Sequence, residues 1–282
     1  MHKKKLIFVG LLALVLCSCS LTETSSGGSK KKQGKQISEE EGIALFNEFK
    51  QKGTGEVGPY RLDYSVTGTS GAYNVKQEYV LMSNSKNDFY YSSIAKELGA
   101  KTSDCLAVQV NNETYEQVSY IKNTTYSTSG TKDEEFAITK KDNPNYESTV
   151  NSYIEANLTE YSTLQETAEL VMTGEKYNVE YLTEVTEEYN AMGYKIEIEY
   201  RTLGTGSLIL NVKTLPNDSS VVDRYSLTRG DETITFSNYR FSEIVSKNYY
   251  SGGGLMTITM KMTYEDPTIS LPAGWESKLV TD

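Results

Sequence analysis

From Tyr60 onward the chain keeps returning to a strict two-residue alternation of apolar and polar side chains. In YRLDYSV, Tyr60, Leu62, Tyr64 and Val66 share one face while Arg61, Asp63 and Ser65 take the other. Successive side chains of a strand point to opposite sides, so this period specifies sheet with one dry and one wet face. Val75, Tyr79 and Leu81 repeat it after the Gly68 to Gly71 turn, and FYYSSIA, CLAVQV and TYEQVSYIKNTTYSTS read as further strands. YKIEIEYR is the cleanest instance, with Tyr194, Ile196, Ile198 and Tyr200 inward. SLILNVKTL and VVDRYSL follow as strands, and Arg229-Gly230-Asp231 reads as a turn into ETITFSNYRF. After Gly252-Gly253-Gly254, LMTITMKMTY places Met256, Ile258, Met260, Met262 and Tyr264 on one face. One-sided alternation on this scale is the mark of antiparallel sheet.

Two stretches break the period. Ser38 followed three residues later by Glu41 is a capping box, and Ile43, Phe46 and Phe49 then recur at helical spacing before Gly53 and Gly55. Between Asp142 and Gly174, apolar residues from Tyr146 and Val150 to Ala168 and Val171 fit steps of three and four. This segment reads as one long helix or two shorter ones, bent near Thr159 to Thr163, where β-branched and short polar residues weaken helix propensity. Nothing between these elements resembles a second linker, so residues 38–282 are expected to form one domain.

The first residues belong to a different physical regime. Lys3, Lys4 and Lys5 precede an apolar run from Leu6 to Leu16. That run is too short for a membrane span of roughly 20 residues and has the layout of a secretory signal. Leu16-Cys17-Ser18-Cys19 resembles the lipobox of bacterial lipoproteins, with a small residue before the modified cysteine. Taking Cys17 as that cysteine puts Leu16 where the peptidase needs a small side chain, so Cys19 is the better candidate. The resemblance implies cleavage after residue 18, diacylglyceryl and palmitate-type acylation at Cys19, and an anchor on the outer face of the cytoplasmic membrane. The alternative is an ordinary signal peptide with an incidental cysteine pair. Residues 19–37 then read as the lipidated cysteine and a flexible Ser/Gly/Lys-rich leash, with Lys30, Lys31, Lys32 and Lys35 near any anionic lipid surface.

Composition narrows the chemistry. The net charge is −10, and removing Lys3, Lys4 and Lys5 with the signal takes it to −13, which argues against a nucleic-acid partner. The single histidine is His2, inside the signal, so histidine-dependent triads, general acid–base pairs and zinc ligation are absent from the mature chain. Cys105 in DCLAVQV has no partner for an internal disulfide and reads as a small apolar residue in a strand. No phosphate-cradling, calcium-binding or nucleophile-elbow motif occurs, and no carboxylate pair stands out. We therefore expect no cofactor, no metal and no enzymatic activity.

The order of elements, an N-terminal helix, a block of strands, a helical insert and strands again, resembles the LolA/LppX superfamily of bacterial lipoprotein and lipid carriers. ITFSNYRF followed by ISLPAGW is similar to that family's closing strand and Leu-Pro ending. The resemblance spans roughly residues 38–282 without a specific motif, and no basic residue matches a headgroup contact. It implies an α+β fold: a strongly curved antiparallel sheet, a half-open barrel, with helices covering the concave face. It further implies a lipid or other hydrophobic ligand held against Leu62, Tyr64, Val66, Val75, Tyr79, Ile196, Ile198, Tyr200, Ile258 and Met260. The same residues equally describe a filled core, which would suit a non-enzymatic envelope interaction or assembly lipoprotein. A carboxylate-based hydrolase of envelope polymers is the third reading, and it lacks a visible acid pair.

Overall fold

The computed structural model describes residues 34–53, 55, 57–70, 73–97 and 100–280. The signal-like stretch, Cys19 and most of the leash lie outside the described residues. Within them the alternating segments pair into one twelve-stranded antiparallel sheet. In chain order the elements begin with β1 (Lys35–Gln36), α1 (Glu39–Lys52), β2 (Tyr60–Ser70), β3 (Tyr73–Ser83) and β4 (Phe89–Glu97). They continue as β5 (Ala100–Asn112), β6 (Glu116–Ser127) and β7 (Gly130–Thr139). Three helices follow, α2 (Tyr146–Asn157), α3 (Thr159–Met172) and α4 (Val179–Ala191). The chain then re-enters the sheet as β8 (Tyr194–Thr202), β9 (Leu208–Pro216), α5 (Ser219–Tyr225), β10 (Leu227–Ser237), β11 (Arg240–Tyr250) and β12 (Leu255–Thr263).

Spatially the order is β1-β8-β9-β10-β11-β12-β2-β3-β4-β5-β6-β7. These are two meanders, β2 to β7 and β8 to β12, joined by a long-range seam in which Met260 faces Tyr64 and Met262 faces Leu62. The end strands β1 and β7 do not pair with each other, so the sheet stays open. A twisted sheet this wide curls rather than lying flat. Helices α1 to α4 pack on one of its faces.

Local chemistry accounts for most of the boundaries. The Ser38 hydroxyl accepts from the Glu41 N–H at 3.2 Å, and the Glu41 carboxylate accepts from the Ser38 N–H at 2.9 Å, closing the capping box of α1. Phe46 and Phe49 then reach the Phe236 ring, with centroids 5.3 and 5.5 Å away. The helical insert breaks at Leu158, whose non-helical backbone separates α2 from α3 and whose side chain is buried in the core. Lys35 and Gln36 pair with Thr202 and Arg201, so ordered structure starts inside the stretch expected to be leash.

Several expectations are corrected. VVDRYSL is mostly helix, not strand, because the Asp218 carboxylate accepts from the Ser220 and Val221 N–H groups and starts α5. Arg229-Gly230-Asp231 does not turn; Gly230 sits within β10, opposite Asn248 and Thr214. The turn is Asn238-Tyr239, both at positive φ (52° and 63°), which divides ETITFSNYRF between β10 and β11. The ISLPAGW ending lies outside the sheet. Ile269, Trp275 and Leu279 instead strap the outer face of the β5 to β7 region, packing with Val108, Val118, Tyr120 and Ala137. The strap is fastened by the Val280 N–H donating to the Ala137 carbonyl at 2.9 Å and by Asp266 accepting from the Ser85 N–H at 3.0 Å. Outward strand positions there are thus buried rather than wet. β7 and α4 have no counterpart in the sequence reading.

Candidate functional site

Strand parity places all ten candidate residues on the helix-covered face, in two groups. Leu62, Tyr64 and Val66 on β2 are flanked by Tyr79 and Val75 on β3 and by Met260 and Ile258 on β12, with Tyr64 directly opposite both Tyr79 and Met260. Ile196, Ile198 and Tyr200 lie on β8, separated from β12 by three strands. The structure brings the first seven into one patch and leaves the β8 trio as a separate wall.

Over part of this face the helices fill the space. Leu158, Leu164, Ala168, Val171 and Met172 from the insert pack with Leu62, Leu81, Tyr91 and Met262 from the sheet. A cleft between α1, the segment after α3 and the β10–β11 turn leaves about 30 Å³ open to water centres, and one beneath Val150 and Ile154 leaves about 10 Å³. Such spaces suit a water or two; ligand pockets run to about 300–1,000 Å³. Cys105 is buried, with Sγ 3.2 Å from the Tyr153 hydroxyl, and burial pushes its thiol pKa up, so it is packing rather than a nucleophile.

Toward the other end the face is less completely covered. Met256, Ile258 and Ser246 form a buried floor. Tyr64, Val66, Val75, Ile196, Ile198, Val212 and Tyr250 around it stay half-buried. Among them stands a carboxylate. Glu232 lies opposite Ser246 on β11 and Val212 on β9, in step with the inward Ile234. The roof is α4 and the loop before it. Asn178 orders that loop, its side-chain oxygen accepting from the Tyr181 N–H at 2.7 Å and its amide donating to the Gly174 carbonyl at 2.9 Å. Tyr177, at φ 58°, stacks on Phe241 with centroids 5.0 Å apart and meets Tyr181 edge-on at 5.3 Å.

The electrostatics follow from this enclosure. Burial pushes the Glu232 carboxyl up to about 7, offset only in part by the Ser246 hydroxyl and by Lys176. Burial pulls the Lys176 ammonium down to about 8 against the opposing pull of Glu166 and Glu232. Its Nζ lies 5.7 Å from the Tyr177 ring centroid. Tyr189 is pushed up to about 12 by burial, with the Glu232 charge adding to it, and Tyr177 and Tyr181 rise for the same two reasons among others. Among the described residues no lysine or arginine makes an ion-pair contact with Glu232. Sequence reasoning missed this group, although its signal was present: in ETITF, Glu232 keeps step with Ile234 and Phe236, a charge at an inward position.

Among the described residues, no group of three His, Cys, Asp or Glu side chains is placed to hold a metal ion, and no helix is long and apolar enough to cross a membrane. No protein-family model and no curated protein matches this chain. Similar solved structures include an outer membrane lipoprotein-sorting protein domain from Vibrio parahaemolyticus, at 7% identity and TM-score 0.23 over 81% of this chain and 94% of that one. A LolA superfamily protein from Nitrosomonas europaea matches at 7% identity and TM-score 0.21, over 80% and 94%. A DUF1329 family protein from Desulfovibrio piger matches at 7% and 0.22, over 81% and 94%. At such scores the fold rests on its own strand order and the site on its own geometry.

Proposed function

We propose that this chain is a non-enzymatic envelope lipoprotein, exported, anchored through Cys19, and holding a lipid or other hydrophobic ligand against the helix-covered face of its open sheet. The observation that carries this reading is the half-buried Tyr/Val/Ile-rich trough around Met256, Ile258 and Glu232, at the part of the face roofed by α4. Apolar surface left partly wet on an inner face gains about 25 cal/mol per Å² when a ligand covers it. The envelope location and the anchor are supported by the signal-like run and the Leu16-Cys17-Ser18-Cys19 motif.

The test is native mass spectrometry of residues 20–282 with organic extraction of the same sample. A co-purifying species of lipid mass, lost from a Val66→Glu variant that still folds, is the expected outcome. A clean apo mass that persists after incubation with envelope lipids overturns the reading. The 30 and 10 Å³ clefts favour a second reading in that event, an envelope interaction or assembly lipoprotein with a filled core.

A further inference from the structure

We infer that the end of the sheet at which the leash enters is the face on which the domain rests against its membrane, with Leu203 as the apolar contact set among the lipid headgroups. This rests on the Cys19 anchor proposed above and specifies how the tethered domain lies.

Strand register puts three connections at that end: the β8–β9 loop, the β10–β11 turn and the link from α1 to β2. Direct contacts join them. The Tyr239 N–H donates to the Gly206 carbonyl at 3.0 Å, the Tyr239 ring centroid lies 4.8 Å from the Lys52 Nζ, and Gly53 packs against the Tyr239 carbonyl. The leash comes in beside them. Gly34 packs against the Thr202 carbonyl and the Leu203 side chain, and its own carbonyl accepts from the Arg201 guanidinium.

Leu203 is what this rim offers a bilayer. At 59% it is the most exposed large apolar side chain among the described residues, and Val57, at 48%, stands at the same end. Single exposed apolar residues are common on soluble surfaces, but this one is held out by a braced loop. The Leu203 N–H donates to the Ser207 hydroxyl at 2.8 Å, the Gly204 N–H to the Thr202 hydroxyl at 3.0 Å, and the Ser207 hydroxyl to the Gly204 carbonyl at 2.9 Å. Folding the leucine back onto the sheet would break these bonds.

Tether length selects which end meets the lipid. The 15 steps from Cys19 to Gly34 give a mean reach of about 20 Å for a Ser/Gly-rich chain. β2 alone, at 11 residues, is about 35 Å long, so the opposite end of the sheet lies beyond that reach. Charge favours the same orientation. Lys30, Lys31, Lys32 and Lys35 outnumber Glu39, Glu40 and Glu41 around the entry point, while Lys52 pairs with Glu48 and Arg201 with Glu199. The helical layer, with ten glutamates against Lys176 between residues 146 and 191, is instead repelled by anionic lipid.

The experiment couples residues 19–282 through Cys19 to a maleimide lipid in vesicles of phosphatidylethanolamine and phosphatidylglycerol with brominated acyl chains. Cys105 is buried and does not compete for the coupling. Bromine quenches nearby tryptophan, so Val57→Trp reports on the rim and Ser251→Trp, in the β11–β12 turn, on the opposite end. Trp275 supplies the same background in each. We expect Val57→Trp to be quenched at least about threefold more than Ser251→Trp, and Leu203→Glu to bring it down to the Ser251→Trp level. Leu203→Glu should melt with wild type, because the side chain it replaces already faces water. Equal quenching at the two ends, stronger quenching at Ser251→Trp, or quenching of Val57→Trp that survives Leu203→Glu overturns the docking face. So does a dimer of untethered residues 20–282 in sedimentation that Leu203→Glu dissociates, since a second copy then occupies the leucine. Chemical coupling keeps these outcomes independent of natural acylation. The anchor reading fails separately if the full chain, expressed in a bacterium, takes up no labelled palmitate at Cys19, and the docking face falls with it.

Discussion

At the scale of single residues, the enclosed charges of the inner face set how stability responds to pH. Folding raises the Glu232 carboxyl from 4.5 to about 7. Its contribution is complete below 4.5 and is lost as pH climbs through 7, on the order of 3 kcal/mol. Lys176 has the opposite sign: folding lowers it from 10.5 to about 8, so its contribution is complete above 10.5 and lost as pH falls through 8. Glutamine imitates a protonated glutamate in shape and charge. Glu232→Gln should therefore melt close to wild type at pH 5 and several degrees above it at pH 8, read by circular dichroism. An offset identical at both pH values would contradict the assignment. A second residue-level test concerns close approach. A Cβ on Gly53 would collide with the Tyr239 carbonyl oxygen, whereas one on Gly55 meets nothing within 4 Å. Gly53→Ala should lose at least about 2 kcal/mol in urea unfolding, and Gly55→Ala should stay within about 0.5.

At the scale of elements, the strap over the outer face has its own reporter. Trp275 is the only tryptophan, it is buried, and it meets the Tyr115 ring edge-on with centroids 5.6 Å apart. Trp275→Ala should cost about 3–5 kcal/mol. In wild type, tryptophan emission should change at lower urea than the far-ultraviolet signal, because the strap is irregular backbone held mainly by side chains. Coincident transitions would show that strap and sheet unfold as one unit. The same scale explains what was legible in sequence. Strands with one buried face, such as YKIEIEYR, declare themselves because burial enforces the period. β7 does not, since its Lys132 to Glu135 half lies at a sheet edge with both faces polar or half-wet. α5 was hidden because Val221 and Val222 favour strands and the Asp218 cap overrides them. Asn238-Tyr239 was hidden because a tyrosine occupies a position where glycine usually signals the turn. The candidate apolar face followed from parity alone, but the roof over Glu232 depends on α4, and the sequence reading had no α4 with which to place it.

At the scale of the whole molecule, charge is segregated. Residues 146–191 carry a net −9 of the −13 that remains once Lys3, Lys4 and Lys5 are removed, so the helical layer holds most of the chain's acidity. Like charges this dense repel within a Debye length of about 10 Å at 0.1 M salt. Raising sodium chloride from 50 to 500 mM should increase the melting temperature by a few degrees, and a fall would show that the salt bridges elsewhere dominate.

The seam between β12 and β2 also sets an order of events. A ribosome or a translocon delivers the amino end first, so β2 through β7 are complete while residues 255–263 are still to come. Until they arrive, β2 presents an unpaired edge bearing Leu62, Tyr64 and Val66 beside it, a surface that invites pairing with a neighbouring chain. The last strand to emerge is therefore the one that closes the sheet's most vulnerable gap, and a chain stalled or cut before Leu255 is left with a template for aggregation at its centre.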